Sequence, residues 1–205
     1  MTDRPQIYLV TPPAIDADFA GRLSATLDAA PIACLRLDLA TRDEDTLLRA
    51  ADALRAVTEP RDVALVIADH VALSQRAGFD GVHLRDGARN VRHARAELGP
   101  DAIVGAFCGT SRHDGMNAGE AGADYIAFGP VGGAAPGDGT LADRDLFAWW
   151  SEMIELPVVA EGGFDAALLA ALAPFADFIA LGEEVWLSPD PAARLAELNR
   201  ALDQT

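Results

Sequence analysis

Short apolar runs rich in β-branched and aromatic residues alternate along the chain with Ala/Leu/Arg/Glu-rich stretches whose apolar positions recur at helical spacing. The apolar runs predict strands over 6–10, 32–39, 62–68, 81–84, 102–107, 124–129, 157–162 and 177–182. Between them the spacing predicts helices over 16–29, 43–57, 70–77, 88–97, 111–121, 143–153, 165–173 and 190–202. Thr41, Ser111 and Asp165 each stand shortly before a helical pattern and are expected to be N-caps. Eight strand–helix units with no strand left over predict an α/β fold, a parallel sheet closed into a (β/α)8 TIM barrel. The open doubly wound rival would mark its first turn with G-x-G-x-x-G, but that turn reads VTPPAIDAD. With no internal repeat, low-complexity stretch or linker, a single domain over 1–205 is expected.

Alternation within two strands assigns faces. Leu35, Leu37 and Leu39 share one side of the second strand and are expected against the helices, which turns Cys34, Arg36 and Asp38 toward the interior. An interior guanidinium needs a counter-charge. It is either an internal pair of Arg36 with Asp38 or Asp69, or a bound anion. In the fourth strand Val82 and Leu84 point one way while Gly81, His83 and Arg85 point the other. His83 is then either a core histidine hydrogen-bonded to a neighbouring strand or a proton-transfer group, for which Glu161 is the candidate partner.

Charge narrows the partners. Lys and Arg number 16 against 32 Asp and Glu, a formal charge of -16. A nucleic-acid backbone or an anionic membrane surface would be repelled, so the expected partner is a small molecule. The two cysteines, Cys34 and Cys108, have no metal-ligand spacing and are expected as buried thiols. Only six residues separate Pro5 from Pro12, too few for a secretory apolar region, and a cytoplasmic location is expected.

Reacting groups of such a barrel come from the C-terminal strand ends and the loops beyond them. Asp69, Asp86, Glu161 and Glu183 lie there as oxygen donors that could hold Mg²⁺, or they are solvated acids of an acidic chain. The backbone amides of Gly162, Gly163 and Gly182 are candidates for a phosphate, although Glu161, Glu183 and Glu184 crowd them. After the sixth strand, GPVGGAAPGDGT (Gly129–Thr140) carries five glycines and no Lys or Arg, and reads as a flexible lid in which Asp138 reverses the local charge. Trp149 and Trp150 are expected on an outer helix, packed on the barrel or at a dimer interface. Trp186 lines the mouth or closes the last helix.

The runs IYLVT (7–11), LRLD (35–38), IADHVALSQRAGFDGVHL (67–84), IVGA (103–106), AGADYIAFGPV (121–131), PVVAEGGF (157–164) and ADFIALG (176–182) together resemble the thiamine phosphate synthase and TenI family. The resemblance implies an eight-stranded barrel, a homodimer, and an enzyme that uses Mg²⁺ to join a pyrimidine diphosphate to a thiazole phosphate. The TenI branch would instead tautomerise a carboxythiazole phosphate. By the same resemblance Arg36, Asp38, Arg85, Gly129, Gly162, Gly163 and Gly182 would bind substrate, and Asp69 and Asp86 would hold the metal.

Several positions depart from the family pattern. Arg36-Leu37-Asp38 stands where the family has an Arg-Glu-Lys-like sequence, and Ala68-Asp69 where it has Asn-Asp. Arg85-Asp86-Gly87-Ala88 replaces Gly-Gln-x-Asp. Phe107 and Gly109 stand where the family carries its serine and histidine, with Ser111 and His113 close by and His113 expected in the first turn of a helix. The lid lacks the diphosphate-binding lysine, and Glu183 replaces a small phosphate-binding serine. The expectation is a retained barrel in which diphosphate transfer is impaired or lost, or else a barrel repurposed to bind a thiazole- or pyrimidine-like molecule.

Overall fold

In the computed structural model, residues 4–133, 136 and 139–203 are described. Eight parallel strands pair in sequence order and close on themselves: β1 (Gln6–Val10), β2 (Cys34–Leu37), β3 (Ala64–Ala68), β4 (Gly81–Leu84), β5 (Ile103–Phe107), β6 (Tyr125–Phe128), β7 (Val158–Glu161) and β8 (Phe178–Leu181). Closure is made by β8 pairing with β1, Ile179 opposite Ile7. The outer layer is α1 (Phe19–Leu27), α2 (Glu44–Thr58), α3 (Val71–Ala77), α4 (Val91–Leu98), α5 (Arg112–Glu120), α6 (Arg144–Met153), α7 (Ala166–Leu172), α8 (Glu183–Trp186) and α9 (Pro191–Leu202). The expected (β/α)8 barrel is the observed one. Among the described residues no helix is long and apolar enough to cross a membrane.

Period-2 alternation sets the two cores. Leu35, Leu37, Val82 and Leu84 face outward into the layer shared with the helices, whereas Tyr8, Cys34, Val66, Tyr125, Val159 and Ala180 fill the interior. Tyr125 is bulky enough to need a gap beside it. A Cβ on Gly105 of β5 would lie 2.0 Å from Tyr125 Cζ, so the ring occupies the space that a side chain at that position would take.

Element ends differ from the sequence pattern where side chains intercept backbone groups. The run 32–39 forms strand only over Cys34–Leu37, because Asp38 N donates to the Thr11 hydroxyl at 3.0 Å instead of continuing a ladder. Asp43, not Thr41, caps α2: its carboxylate accepts from Thr46 N at 2.9 Å, while Thr41 Oγ1 accepts from Asp43 N and only shapes the turn ahead. Ser111 and Asp165 do cap α5 and α7, accepting from Asp114 N and Leu168 N. Helix α8 has four residues, too few for any periodicity to show.

The tryptophan pair lies on α6 as expected. Trp150 is fully buried edge-on to Phe128, and its Nε1 donates to Leu156 O at 2.8 Å, while Trp149 lies beneath the Arg112 guanidinium. Trp186 ends α8 rather than closing the last helix, which is α9. It lines the mouth, and it ties α8 back to β1 by donating from Nε1 to Val10 O at 2.6 Å.

Candidate active site

At the C-terminal ends of the strands a cavity of about 480 Å³ opens. Its apolar walls come from Val10 at the end of β1 with Pro12 and Pro13 beyond it, Phe107 at the end of β5, and Trp186 and Leu187 around α8. Its polar groups are Arg36, Asp38, His83, Arg85, Glu161, Glu183 and Glu184. Two arginines therefore face four carboxylates. The expected substrate residues Gly162, Gly163 and Gly182 line it too, and Gly129 is not among the walls.

Arg36 is 3 % exposed, and its position follows from β2 alternation. Its Nη1 donates to Glu161 Oε2 at 3.1 Å and its Nη2 to Glu161 Oε1, a fork on both carboxylate oxygens. Its Nε lies 3.1 Å from Asp38 Oδ2 as an ion pair without hydrogen-bond geometry. Burial alone would lower the Arg36 pKa, but Glu161, Tyr8 and Asp38 outweigh it and hold the guanidinium well above its usual value. The anticipated internal pair is present with Asp38. Asp69 takes no part, and Glu161, which sequence reasoning had assigned to His83 or a metal, is the main partner.

Asp69 belongs to a second pair. It adopts a left-handed backbone (φ 61), which aims its carboxylate at the end of β4. There Oδ1 accepts from Arg85 N at 2.8 Å and Oδ2 from Arg85 Nε at 2.6 Å, while Arg85 Nη1 reaches Asp38 Oδ1 at 3.2 Å. Asp86 points elsewhere, accepting from Asn90 Nδ2 at 2.5 Å. The Mg²⁺ implied by the resemblance would need converging oxygens. Among the described residues no group of three or more His, Cys, Asp or Glu side chains is placed to hold a metal ion. The Arg85 guanidinium lies between Asp38 and Asp69, so the donors present do not fit that ion.

His83 is 1 % exposed. Its Nδ1 and the Tyr125 hydroxyl are 2.9 Å apart, and Tyr125 in turn meets the Tyr8 hydroxyl at 2.9 Å, a polar chain across the interior. Burial, then the positive charges of Arg36 and Arg85, push the His83 pKa well below its usual value, so the ring is neutral. Both tyrosines are pushed up, chiefly by burial. His83 Nε2 is buried without a hydrogen-bond partner. His83 is thus a buried interior histidine bonded across the barrel to Tyr125 of β6, two strands away rather than on a neighbouring strand, and Glu161 has both oxygens on Arg36 rather than on it. His113 lies in the first turn of α5, its Nε2 3.1 Å from Asn117 Nδ2.

The glycine-rich ends of β7 and β8 carry the least expected contact. Glu184 does not merely crowd the amides, because its carboxylate accepts from Gly163 N, Phe164 N and Gly182 N. The only signal in the sequence was the spacing Gly182-x-Glu184, too common to point to such a contact.

The segment after β6 starts as a stitched turn. Val131 N donates to Glu161 O and Gly162 O, Gly132 N donates to Gly162 O at 2.8 Å, and Ala142 N donates to Pro130 O at 2.8 Å. A Cβ on Gly129 would lie 2.4 Å from Glu161 O and one on Gly132 1.9 Å from Gly163 O. These two glycines serve close backbone approach to β7 rather than the flexibility of a lid. Asp138 lies outside the described residues.

The sequence signature described as thiamine monophosphate synthase matches residues 7–185. A thiamine-phosphate synthase of Rhodospirillum centenum is 44 % identical, covering 98 % of this chain and 99 % of that protein. One of Hyphomonas neptunium is 40 % identical over 96 % and 93 %. Among solved structures, thiamine phosphate pyrophosphorylase from Pyrococcus furiosus superposes with a TM-score of 0.84 at 22 % identity, covering 97 % of this chain and 96 % of that one. A 3-hexulose-6-phosphate synthase superposes at 0.65 with 19 % identity, covering 96 % of this chain and 100 % of that one. These two show the barrel, while the signature and the sequence relatives show descent. The chain belongs to the thiamine monophosphate synthase family.

Proposed function

We propose that this protein is a divergent thiamine-pathway barrel whose mouth binds a thiazole- or pyrimidine-like ring, and in which the family's diphosphate transfer is impaired. One observation carries the reading: both arginines of the mouth are already neutralised, Arg36 by Glu161 and Asp38, and Arg85 by Asp69 and Asp38. A diphosphate would have to take Arg36 from Glu161 and leave that carboxylate buried and unpaired. Removing one partner of a buried pair costs about 3–5 kcal/mol. No lysine or arginine occurs in Gly129–Thr140 to make up the difference.

What is left suits a small ring. The cavity volume of about 480 Å³ is ordinary for a small-molecule site, and Pro12, Phe107 and Trp186 offer flat apolar surface. Asp38 and the Arg36–Glu161 pair supply the orienting charges below it. A homodimer, which rests on the family resemblance, and a cytoplasmic setting, which rests on the short apolar stretch between Pro5 and Pro12, complete the proposal.

A steady-state assay with the pyrimidine diphosphate, the thiazole phosphate and Mg²⁺ tests the reading. Turnover well under about 1 s⁻¹ is expected, and turnover at that ordinary enzymatic rate overturns it. A second reading, a working synthase with rearranged ligands, is favoured by the 44 % identity over nearly the whole chain. It requires Arg36 to exchange Glu161 for diphosphate, and the same assay decides between the two.

A further inference from the structure

Side chains from β1, β4 and β6 form one polar line through the barrel interior, and its geometry sets where a single proton sits. His83 and Tyr125 share a row of the sheet with Gly105 between them, His83 opposite Gly105 and Gly105 opposite Tyr125. A Cβ on Gly105 would lie 2.3 Å from the Tyr125 hydroxyl, so the bare glycine is what lets that phenol cross β5 and reach His83. The Tyr125 hydroxyl lies 2.9 Å from His83 Nδ1 and 2.9 Å from the Tyr8 hydroxyl. The His83 and Tyr125 rings are stacked, their centroids 5.7 Å apart.

The line can be protonated in two directions. If each phenol donates toward β4, Tyr8 to Tyr125 and Tyr125 to Nδ1, the proton of the neutral imidazole stands on Nε2. In the reverse direction Nδ1 donates to Tyr125 and Tyr125 donates to Tyr8. The Tyr8 proton then has no oxygen or nitrogen acceptor among the described residues, only the thiol of Cys34, its partner on β2. A thiol sulfur is a weak acceptor. The reverse direction therefore strands two buried groups, the Tyr8 proton and the Nε2 lone pair, where the first strands only the Nε2 proton. Each stranded group costs its full desolvation, so the first direction wins. Burial and the charges of Arg36 and Arg85 keep the imidazole neutral, which leaves it one ring proton to place.

His83 borders the mouth cavity, and Nε2 is buried without a hydrogen-bond partner. We propose that Tyr125, backed by Tyr8, is a positioning residue: it holds His83 in the tautomer with its proton on Nε2. The mouth then offers a neutral N–H donor at β4 and favours a ligand ring that brings an acceptor, a ring nitrogen or an oxygen, to that point. The ligand's identity as a pyrimidine- or thiazole-like ring rests on the function proposed above. The tautomer rests on the polar line alone.

The test is long-range proton–nitrogen NMR of the full-length protein carrying isotope-labelled histidine, with His83→Gln identifying the His83 signals by their loss. Wild type is expected to show a single tautomer, Nε2 protonated and Nδ1 bare. Tyr125→Phe removes the donor to Nδ1, and its His83 nitrogens are expected to shift toward the average of the two tautomers. Calorimetric titration with the pyrimidine alcohol, and with its benzene analogue lacking the ring nitrogens, reads the consequence for binding. Wild type is expected to favour the pyrimidine by about tenfold or more, and Tyr125→Phe to lose most of that preference. Should Tyr125→Phe not fold, Tyr8→Phe leaves Nδ1 as the one acceptor for Tyr125 and is expected to keep the proton on Nε2. Nδ1 protonated in wild type or in Tyr8→Phe overturns the proposal. So does a folded Tyr125→Phe with the wild-type tautomer, or equal binding of the two rings by wild type. Nε2 protonated in wild type, with neither ring bound by any form, upholds the role of Tyr125 and removes the ring-binding reading of the function instead.

Discussion

Arg36 at the end of β2 and Glu161 at the end of β7 meet inside the barrel through two guanidinium nitrogens and two carboxylate oxygens. Both side chains are almost fully buried, at 4 % and 6 % exposure. Glu161→Ala would leave Arg36 with Asp38 alone and is expected to destabilise the protein by about 3–5 kcal/mol, measured by urea unfolding. The double change Arg36→Met with Glu161→Leu, which removes both charges and keeps volume, should recover most of that loss. A double variant as unstable as the single one would show that the pair is not what the interior lacks.

His83 gives the fold a dependence on mild acid. Its folded pKa is depressed by burial and by Arg36 and Arg85, so below about pH 6.5 the unfolded chain takes up a proton that the folded chain refuses. Stability from this group is complete above that pH and falls as the pH drops, by up to about 1.4 kcal/mol per pH unit until the folded ring itself protonates. His83→Gln, which can still bond Tyr125, should therefore lose less stability than wild type between pH 7 and pH 5. Parallel losses in the two proteins across that window would assign the acid sensitivity to other groups.

Gly105 makes room for the Tyr125 ring. An added methyl would lie 2.0 Å from Tyr125 Cζ and 2.3 Å from its hydroxyl, the atom that meets both His83 and Tyr8. Gly105→Ala is expected to cost about 1–3 kcal/mol through overpacking, read as a lowered melting temperature. Gly21 of α1 has nothing within 4 Å of the same added atom and serves as the control, where alanine is expected to be neutral or stabilising.

Arg85 bridges Asp38 and Asp69 with one guanidinium. Mg²⁺ at millimolar concentration is expected to leave the wild-type melting temperature unchanged beyond what the same ionic strength of NaCl does. Arg85→Ala uncovers two carboxylates and should make melting respond to Mg²⁺, since an ion that binds only the folded state stabilises it by mass action. A saturable shift in wild type would mean that the ion displaces Arg85.

Much of the site's raw material was legible from alternation alone. The leucine face of β2 turned Arg36 and Asp38 inward, and Val82 and Leu84 did the same for His83, because the side-chain period of a strand is two whatever the fold. Which charge meets which was not legible. Arg36 and Glu161 are 125 positions apart, and only barrel closure brings the ends of β2 and β7 together. Asp69 looked equally available to Arg36, but its left-handed backbone turns it to Arg85 instead.

Local chemistry near helix starts was read correctly at Ser111 and Asp165, where cap and amide are three residues apart. It failed at Thr41, where Asp43 lay closer to the first turn. The sequence by itself determined the eight strand–helix units, the inward and outward faces, and the family, since each of these follows from short-range periodicity or from contiguous motifs. Only the tertiary structure decided that Glu161 and Glu184 hold the guanidinium and the amides that would otherwise be free for an anion. Such contacts depend on where loops and distant strand ends converge, and hydrophobic periodicity contains no information about that convergence.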